Sequence, residues 1–351
     1  WIKKLMNLIS EIKVEYFLFL PFILFAIIFF QKKANFLIDN TKSSHHKTFT
    51  GSLNKKTPLS GGLFIMLSLI IFFKDKNIIL TLFLILIMSI GILSDLNKLQ
   101  SPNARLTLQL ILVCSFVYIT DLSVKEIRID LIDNYLENKF ISIIFTLFCI
   151  LILLNGSNFI DGLNNLQIGY YILVLISLLV LSKTQNLLLD YDFAYLLLCI
   201  LSTIYIFNFF GKCFLGDGGS YLIAAIFAFF VITFVNLNNK VSPYFIILLL
   251  WYPAFENFFS IIRRKFFNKK NALLADNQHL HQLIFIRVKN YFPNNKLNNT
   301  ISGNLIVLFN TIPFYLGIKY YQSTQILSLI IYINILFYLF IYFNLKKNTK
   351  K

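Results

Sequence analysis

The chain has 351 residues, of which 57% are hydrophobic and only 14% charged, and its mean hydropathy is +0.71. This composition excludes a soluble globular protein and a disordered chain, and it indicates a polytopic membrane protein. The formal charge of +16 does not indicate nucleic-acid binding, because lysine and arginine are scattered through short loops between apolar runs. Membrane topology and attraction to anionic lipids explain this charge better.

The apolar runs predict an all-α fold with about eleven membrane-spanning helices, each near the length that a hydrocarbon core of about 30 Å requires. One transmembrane domain would cover residues 1–351, with its helical membrane core at 14–343. Residues 1–13 have the spacing of a short interfacial helix. No small-residue cleavage pattern follows the first span, so we expect that span to stay as an anchor. We place the spans at residues 16–30, 63–73, 78–93, 106–120, 140–154, 167–181, 193–207, 221–235, 243–262, 301–318 and 326–343.

Lysine and arginine are concentrated in the loops on one side of the predicted bundle. By the positive-inside rule this side is cytoplasmic, which puts the N-terminus outside and the C-terminus in the cytoplasm. Every unusual polar motif of the chain lies in one of these loops. The predicted cytoplasmic loops are residues 31–60, 94–105, 155–166, 208–220 and 263–300.

Three of these loops carry a carboxylate next to a span. Asp95 ends the third span, Asp161 follows the fifth, and Asp217 precedes the eighth. Hard oxygen ligands at one depth suit Mg²⁺, which usually bridges one or two carboxylates to substrate phosphates. The spacing therefore indicates phosphoryl chemistry at the cytoplasmic interface.

The stretch NGSNFIDGLNNL at 155–166 interrupts an almost wholly apolar region. Asn155, Asn158 and Asp161 recur every third residue, so they project from one stripe of a helix. A carboxylate at membrane depth costs about 2.5–3.5 kcal/mol, which makes this stripe a candidate functional site in a hydrated cavity. The alternative is a satisfied polar patch between helices.

The segment FLGDGGS at 214–220 is a glycine-rich turn that leads into the eighth span. Such a turn presents backbone N–H groups and the positive end of a helix dipole to an anion, with Ser220 as a further donor. Taken alone, GDGGS fits an ordinary loop equally well.

His279 and His281 lie in DNQHLHQ, in a loop that begins with Arg263 and other basic residues. Structural zinc is disfavoured, since no cysteine or third histidine is nearby, and the four cysteines suggest neither a disulfide framework nor a metal cluster. The two imidazoles are better suited to donate to a diphosphate or to sugar hydroxyls. A merely solvated basic loop is the alternative.

In this order, GILSDLNKLQSPNARLTLQ, NGSNFIDGLNNL, FLGDGGS and HLHQ resemble the motifs of the polyprenyl-phosphate N-acetylhexosamine-1-phosphate transferases, relatives of the phospho-N-acetylmuramoyl-pentapeptide transferases. KKTPLSGG at 55–62 is similar to the first cytoplasmic motif of that family. The resemblance implies transfer of a HexNAc-1-phosphate from a UDP-N-acetylhexosamine to undecaprenyl phosphate, giving a polyprenyl-diphospho-sugar and UMP. It would be the initiating step of a cell-envelope polysaccharide.

The resemblance also implies roles for individual residues. Asp95, Asp161 and Asp217 would be catalytic, with Asp217 and Asp95 as ligands of Mg²⁺, for which Mn²⁺ could substitute. Asp161 would belong to the nucleotide pocket, and Phe214 would stack on the uracil. The predicted substrate-binding residues are Lys56, Ser94, Asn155, Asn158, Gly162, Asn164, Asn208, Phe214, Ser220, Arg263, His279 and His281.

The implied location is the bacterial inner membrane, where a multi-pass protein would present its active site to the cytoplasm. Its partners would be the UDP-sugar, undecaprenyl phosphate and the lipid bilayer, without nucleic acid. A homodimer is compatible with the sequence.

The chain departs from the family pattern at three positions. Ser94 stands where the family has the first of two aspartates, a favoured candidate for the base that acts on the lipid phosphate. Asn164 stands where the family has a second aspartate, and Asn165 follows where glycine is usual, although Asn164 can still hydrogen-bond to a base.

Two other functions use the same residues. A transporter or flippase of lipid-linked or nucleotide sugars would bind such substrates without reaction, but we find no internal repeat of the kind that transporters carry. The second alternative is an inactive relative that acts as a partner in an envelope complex. The replacement of the usual aspartate by Ser94 is the best support for it.

Overall fold

A computed structural model describes residues 13–39, 56–73, 77–267, 278–292 and 297–348. Several predicted features lie outside these ranges: the interfacial helix before residue 13, most of the first cytoplasmic loop, the connection between the second and third spans at 74–76, and the parts of the loop 263–300 at 268–277 and 293–296.

The described chain is almost entirely helical, and β1 (Ile38–Asp39) and β2 (Thr57–Pro58) form a short antiparallel ladder. The helices are α1 (Val14–Ala34), α2 (Gly61–Phe72), α3 (Ile78–Asp95), α4 (Pro102–Thr120), α5 (Asp130–Leu136), α6 (Lys139–Ile160), α7 (Leu166–Gln185), α8 (Tyr191–Phe209), α9 (Gly216–Leu237), α10 (Pro243–Leu249), α11 (Trp251–Ile262), α12 (Leu280–Tyr291), α13 (Asn298–Phe309), α14 (Thr311–Lys319) and α15 (Thr324–Asn348). A π-helical turn, Arg263–Phe267, continues α11.

The described ranges contain eight spans that are long and apolar enough to cross a membrane: α3, α4, α6, α7, α8, α9, the consecutive α13 and α14, and α15. A ninth is obtained when α10 and α11 are counted as one broken span. These nine match the third to the eleventh predicted spans. The first two fall on α1, with 21 residues, and α2, with only 12, so the total of eleven and the orientation stay predictions.

Several helices begin where the sequence supplies a cap. Ser101 accepts from Ala104 N before α4, and Asn138 accepts from Phe140 N before α6. Ser242 does the same for Tyr244 N before α10. Each side-chain oxygen satisfies an amide that has no partner inside its helix, which fixes where the span starts.

The break between α10 and α11 has an identifiable cause. The two helices are bent by 70°, and Pro253 in the first turn of α11 lacks the N–H that would bond to Leu249 O. The hydroxyl of the fully buried Tyr170 donates to Leu249 O instead (2.8 Å) and accepts from Tyr252 N (3.4 Å). The freed backbone groups are therefore satisfied by α7.

The start of α9 packs closely against α2 and α3 through glycines on each side. A Cβ on Gly62 would lie 2.7 Å from Gly219 N, and a Cβ on Gly91 would collide with the backbone of Gly218. Helices in membranes commonly approach this closely where small residues meet. The glycines of GDGGS thus bring three helix ends together.

The loop before α9 is also bonded to the segment before α2. Phe214 N donates to Pro58 O (3.0 Å), and Gly61 N donates to Phe214 O (3.0 Å). These bonds hold residues 58–61 and the FLGDGGS segment side by side.

Gly91→Ala should destabilise the protein strongly, because the added methyl meets backbone atoms that cannot move without displacing α9. Overpacking of this kind typically costs about 1–3 kcal/mol. Thermal unfolding in detergent measures the effect. Gly169→Ala in α7 is the matched control, since its Cβ would meet only the side chains of Tyr205 and Val307, at 3.1 and 3.2 Å. Equal melting temperatures for the two variants would contradict the close packing of α3 on α9.

Candidate active site

Asp217, the second residue of α9, is the point where three segments meet. Its Oδ2 accepts from Ser94 Oγ (2.6 Å) near the end of α3 and from Arg105 Nη1 (3.0 Å) in α4. Arg105 Nη1 also donates to Ser94 Oγ (2.7 Å). The Asp217 side chain is 28% exposed, so its carboxylate remains accessible beside this arginine.

Asp95 lies directly next to Asp217 and contacts its backbone. Asp95 Oδ1 accepts from Asp217 N (3.1 Å), and Oδ2 accepts from Gly218 N (3.3 Å). The first amides of a helix lack partners and carry positive partial charge, so a carboxylate is stabilised there. The turn fits because Gly216 has φ +71° and a Cβ on it would lie 2.6 Å from Asp95 Oδ2. We expected the first amides of this helix to bind a substrate anion, and in the structure two of them donate to Asp95.

The described residues contain no group of three or more His, Cys, Asp or Glu side chains placed to hold a metal ion. The donor chemistry does fit a Mg²⁺ shared with a diphosphate, because such an ion needs only one or two carboxylates besides water and phosphate oxygens. Asp217 can supply one, since both of its side-chain bonds fall on Oδ2.

The polar stripe of α6 faces the interior of the bundle. Asn155 Nδ2 donates to Gln109 Oε1 (3.1 Å) on α4, and Asn158 Nδ2 donates to Tyr221 OH (3.4 Å) on α9. Gln109 lies one turn after Arg105 on α4, and Tyr221 lies one turn after Asp217 on α9. The stripe therefore continues the Asp217 cluster by one helical turn.

The loop after α6 is held by α13 and by the end of α8. Asn164 N donates to Asn299 Oδ1 (2.6 Å), and Asn164 Nδ2 donates to Thr300 Oγ1 (3.3 Å). Asn165 N donates to Asn208 Oδ1 (2.6 Å). Asn165 has φ +64°, which explains why glycine suits this position and why asparagine is tolerated there.

The HLHQ segment contacts this loop and the end of α6. The ring centroid of His279 lies 5.4 Å from that of Phe159 and 5.4 Å from that of His281, and a Cβ on Gly162 would collide with His281 Nε2. His279 Nδ1 is 2.8 Å from Oε1 of Glu256, a fully buried carboxylate. Asp161, Gly162 and both histidines thus belong to one neighbourhood.

Three predicted substrate-binding residues are buried in the structure. Arg263 is 1% exposed and donates to Gln278 O, to Tyr342 OH and to Ser260 Oγ, so it anchors the histidine segment from behind. Asn208 joins two loops, because its Nδ2 donates to Cys213 O (2.7 Å) while its Oδ1 accepts from Asn165 N. Ser220 is fully buried between helices. The loop positions in the sequence did not indicate this burial, and the role of these three residues in substrate binding stays a prediction.

The remaining predicted residues lie at the edge of the site. Phe214 is half-buried, and Lys56 is exposed at the start of β2. Neighbouring Cys213 is buried, and burial raises the pKa of its thiol to about 12, so it stays protonated and is no nucleophile at neutral pH.

Arg264, one of the basic residues that the sequence places near the histidines, has its guanidinium 5.5 Å above the ring of Phe159. Sequence reasoning missed Arg105 and Glu256. Two signals could have found them. Arg105 occupies the first turn of a helix, where the dipole favours acidic residues, so a partner was to be expected. Glu256 is an acidic residue inside an apolar span. An ionisable side chain at membrane depth indicates a candidate functional site, which is the reason why Asp161 was selected.

Comparison with known proteins gives one family match and one curated relative. Residues 77–235 match the family described as glycosyl transferase family 4. A curated relative from Bacillus subtilis (strain 168), described as "Probable undecaprenyl-phosphate N-acetylglucosaminyl 1-phosphate transferase", is 25% identical over 239 residues, which cover 65% of this chain and 65% of the relative. The matched family segment contains Ser94, Asp95, Arg105 and Asp217 but neither Glu256 nor the histidines.

Asn165 provides a test of the loop geometry that needs no substrate. Among the described residues, neither polar atom of its buried side-chain amide has a hydrogen-bond partner. Asn165→Gly should therefore be at least as stable as the parent, whereas Asn165→Ala should lose about 1–2 kcal/mol to left-handed strain. Thermal unfolding is the measurement. The exposed Asn186, with φ +52°, is the control, because Asn186→Ala reports the strain alone. A stable Asn165→Ala would contradict the left-handed conformation.

Proposed function

Because its central region, residues 77–235, matches the model of glycosyl transferase family 4, we propose that this membrane protein transfers a HexNAc-1-phosphate from a UDP-N-acetylhexosamine to undecaprenyl phosphate. In this reaction an oxygen of the lipid phosphate bonds to the β-phosphorus of the donor. The bond from that phosphorus to the bridging oxygen breaks, and UMP leaves. The product would initiate a cell-envelope polysaccharide at the cytoplasmic face of the bacterial inner membrane.

The observation that carries this proposal is the convergence of Ser94, Arg105 and Asp217 beside Asp95. It joins an accessible carboxylate to a guanidinium at the meeting point of three spans. Arg105 can contact phosphate oxygens with N–H groups that Asp217 does not use, since a guanidinium has five donors. A site with both charges suits a substrate that brings phosphates and a cation together.

Asp217 would hold a Mg²⁺ jointly with the diphosphate of the donor, and Mn²⁺ could replace it. When bound, this ion would neutralise the diphosphate and orient it. Asp95 would act mainly by fixing the first turn of α9, because both of its oxygens accept from backbone amides there. Its contact with Asp217 N would keep the Asp217 side chain at the site.

The nucleophile needs little activation from the protein. The second pKa of a phosphate monoester is near 6, so the lipid phosphate is mostly dianionic at pH 7. Ser94, which cannot act as a base, is therefore compatible with catalysis. Its hydroxyl would orient Asp217, to which it donates.

The neighbourhood of Phe159 and Gly162 would bind the donor. His279, His281 and Arg264 supply imidazole and guanidinium groups there, which suit the sugar hydroxyls and the diphosphate. Asp161 would complete the nucleotide pocket, with Phe214 as the candidate for stacking on uracil.

The direct test is UMP release by the purified protein with undecaprenyl phosphate and a panel of UDP-sugars. UMP formed from a UDP-HexNAc only when the lipid phosphate is present would support the transferase. A flippase would bind these substrates without releasing UMP, and an inactive relative would bind them without turnover or transport. The same panel identifies the sugar.

Asp217→Asn should lower the rate by about 100-fold or more, because it removes the anionic ligand proposed for the cation. UMP release measures the rate. Asp121→Asn is the matched control, since Asp121 also pairs with a basic residue, Lys139 (2.7 Å), but at the opposite end of α4. A chelator in excess should abolish turnover of the parent, with recovery on adding Mg²⁺ or Mn²⁺. Normal turnover in the chelator would refute the metal requirement.

Ser94 and Asp95 should respond differently to substitution. Ser94→Ala should keep most of the activity, because Arg105 still holds Asp217. Asp95→Asn should lose most of it, since an amide offers one oxygen to two backbone donors and leaves one of them unsatisfied, at about 1–3 kcal/mol. Rates of UMP release compare the two.

The opposite substitution tests the account of the nucleophile. Ser94→Asp should give no large gain, because the lipid phosphate is already ionised. A rise of about 100-fold, within the range of general-base catalysis, would mean that a base was missing. Full activity of Asp95→Asn would favour an inactive or differently arranged site.

A further inference from the structure

Glu256 is a carboxylate inside the membrane bundle that the proposed reaction does not use. It lies in α11, is fully buried, and accepts at both oxygens: Oε1 is 2.8 Å from His279 Nδ1, and Oε2 accepts from Tyr338 OH (2.6 Å). A buried ionised carboxylate is strongly disfavoured without such partners. Two well-formed contacts therefore indicate a built site.

The contacts determine where the proton of His279 lies. An ionised carboxylate only accepts hydrogen bonds, so the Tyr338 hydroxyl donates to Oε2 and Nδ1 of His279 must carry a proton. The other ring nitrogen, Nε2, lies on the side of the ring that faces away from Glu256. An anion on that side would favour the doubly protonated ring, since both N–H groups would then have acceptors.

The position of His279 is fixed by its backbone and its neighbours. His279 N donates to Gln282 Oε1 (3.1 Å), and Arg263 holds the carbonyl of Gln278 just before it. The ring stacks on His281 at an interplanar angle of 15° and lies near Phe159. The ring therefore sits at the end of α6, beside the loop that carries Asp161 and Gly162.

We propose that Glu256 is a positioning residue for the nucleotide sugar: it accepts from Nδ1–H and fixes the orientation of the His279 ring, so that in the complex the doubly protonated ring donates from Nε2–H to the diphosphate. Tyr338 holds the second oxygen of Glu256 and keeps the carboxylate in place. This inference rests on the proposed function for the identity of the ligand. It assigns a role in donor binding to the broken span, outside the segment matched by the family.

The test measures binding and turnover of the purified full-length protein. Glu256→Gln keeps the size of the side chain and removes its charge. We expect its Kd for UDP to rise at least tenfold by calorimetry, with an unchanged Kd for uridine, which has no phosphate. The KM for the UDP-sugar should rise likewise, while the KM for undecaprenyl phosphate stays unchanged. Equal weakening of UDP and uridine would indicate a purely structural role and overturn the proposal.

A second set of variants covers the case in which Glu256→Gln does not fold. Tyr338→Phe removes one hydroxyl and should raise the Kd for UDP in the same direction. Tyr321→Phe is its control, because this buried hydroxyl also donates to a side-chain oxygen, that of Gln185 (3.2 Å), at a distant position. An unchanged Kd in Tyr338→Phe together with an unchanged Kd in Glu256→Gln would refute the proposal.

A double-mutant cycle separates action through His279 from an independent effect. In the His279→Ala background, Glu256→Gln should cause less than a twofold further loss of UDP affinity, or a recovery. A second loss of the same factor would overturn the proposal. If the parent binds UDP but releases no UMP, the transferase function fails while the binding comparison still decides this inference. If the parent binds no UDP at all, both fail.

Discussion

The contact between the Asp95 carboxylate and the first amides of α9 is the interaction on which the site depends. It satisfies Asp217 N and Gly218 N at a helix end where those groups have no helical partner, and it places a negative charge at the positive end of the dipole. The contact is short only because Gly91 and Gly62 let α3 and α2 approach α9 closely. The side chain of Asp217 is thereby held toward Ser94 and Arg105. The close packing of these helices therefore also sets the geometry of the site.

The broken span supplies the other half of the site. Pro253 removes a backbone donor, Tyr170 replaces it, and the resulting bend carries α11 toward the end of α6. Gly156, next to the polar stripe on α6, makes room for this approach, since a Cβ there would collide with Pro253 O. Helix α6 therefore contacts α4 and α9 through Asn155 and Asn158, and α11 through Gly156. The helices that carry Arg105 and Asp217 and the helix that carries Glu256 therefore all pack against α6.

The unusual residues of this chain are explained by their surroundings. Asn165 occupies a left-handed position, which asparagine tolerates better than other side chains, so the usual glycine is replaced at modest cost. Ser94 donates to the carboxylate of Asp217 and accepts from Arg105, so it contributes a hydrogen bond where a second charge would be placed next to Asp217. Arg105 therefore pairs with Asp217 and has a neutral hydroxyl beside it at Ser94. Neither departure disrupts the arrangement of the three spans.

The sequence by itself determined that the protein lies in a membrane. It also determined the positions of nine spans along the chain and the polar motifs that interrupt them. These are properties of single segments, because the exchange of water for lipid depends on the composition and length of each apolar run. The tertiary structure alone decided which side chains pair. Asp95 and Asp217 are 122 residues apart, Ser94 and Asp217 are 123 apart, and Glu256 and Tyr338 are 82 apart. Arg263 and Ser220 lie in predicted loops, where we expected them to bind substrate. In the structure both side chains are buried. Which helices become neighbours depends on close packing at particular glycines and on one proline bend, and those contacts exist only in three dimensions.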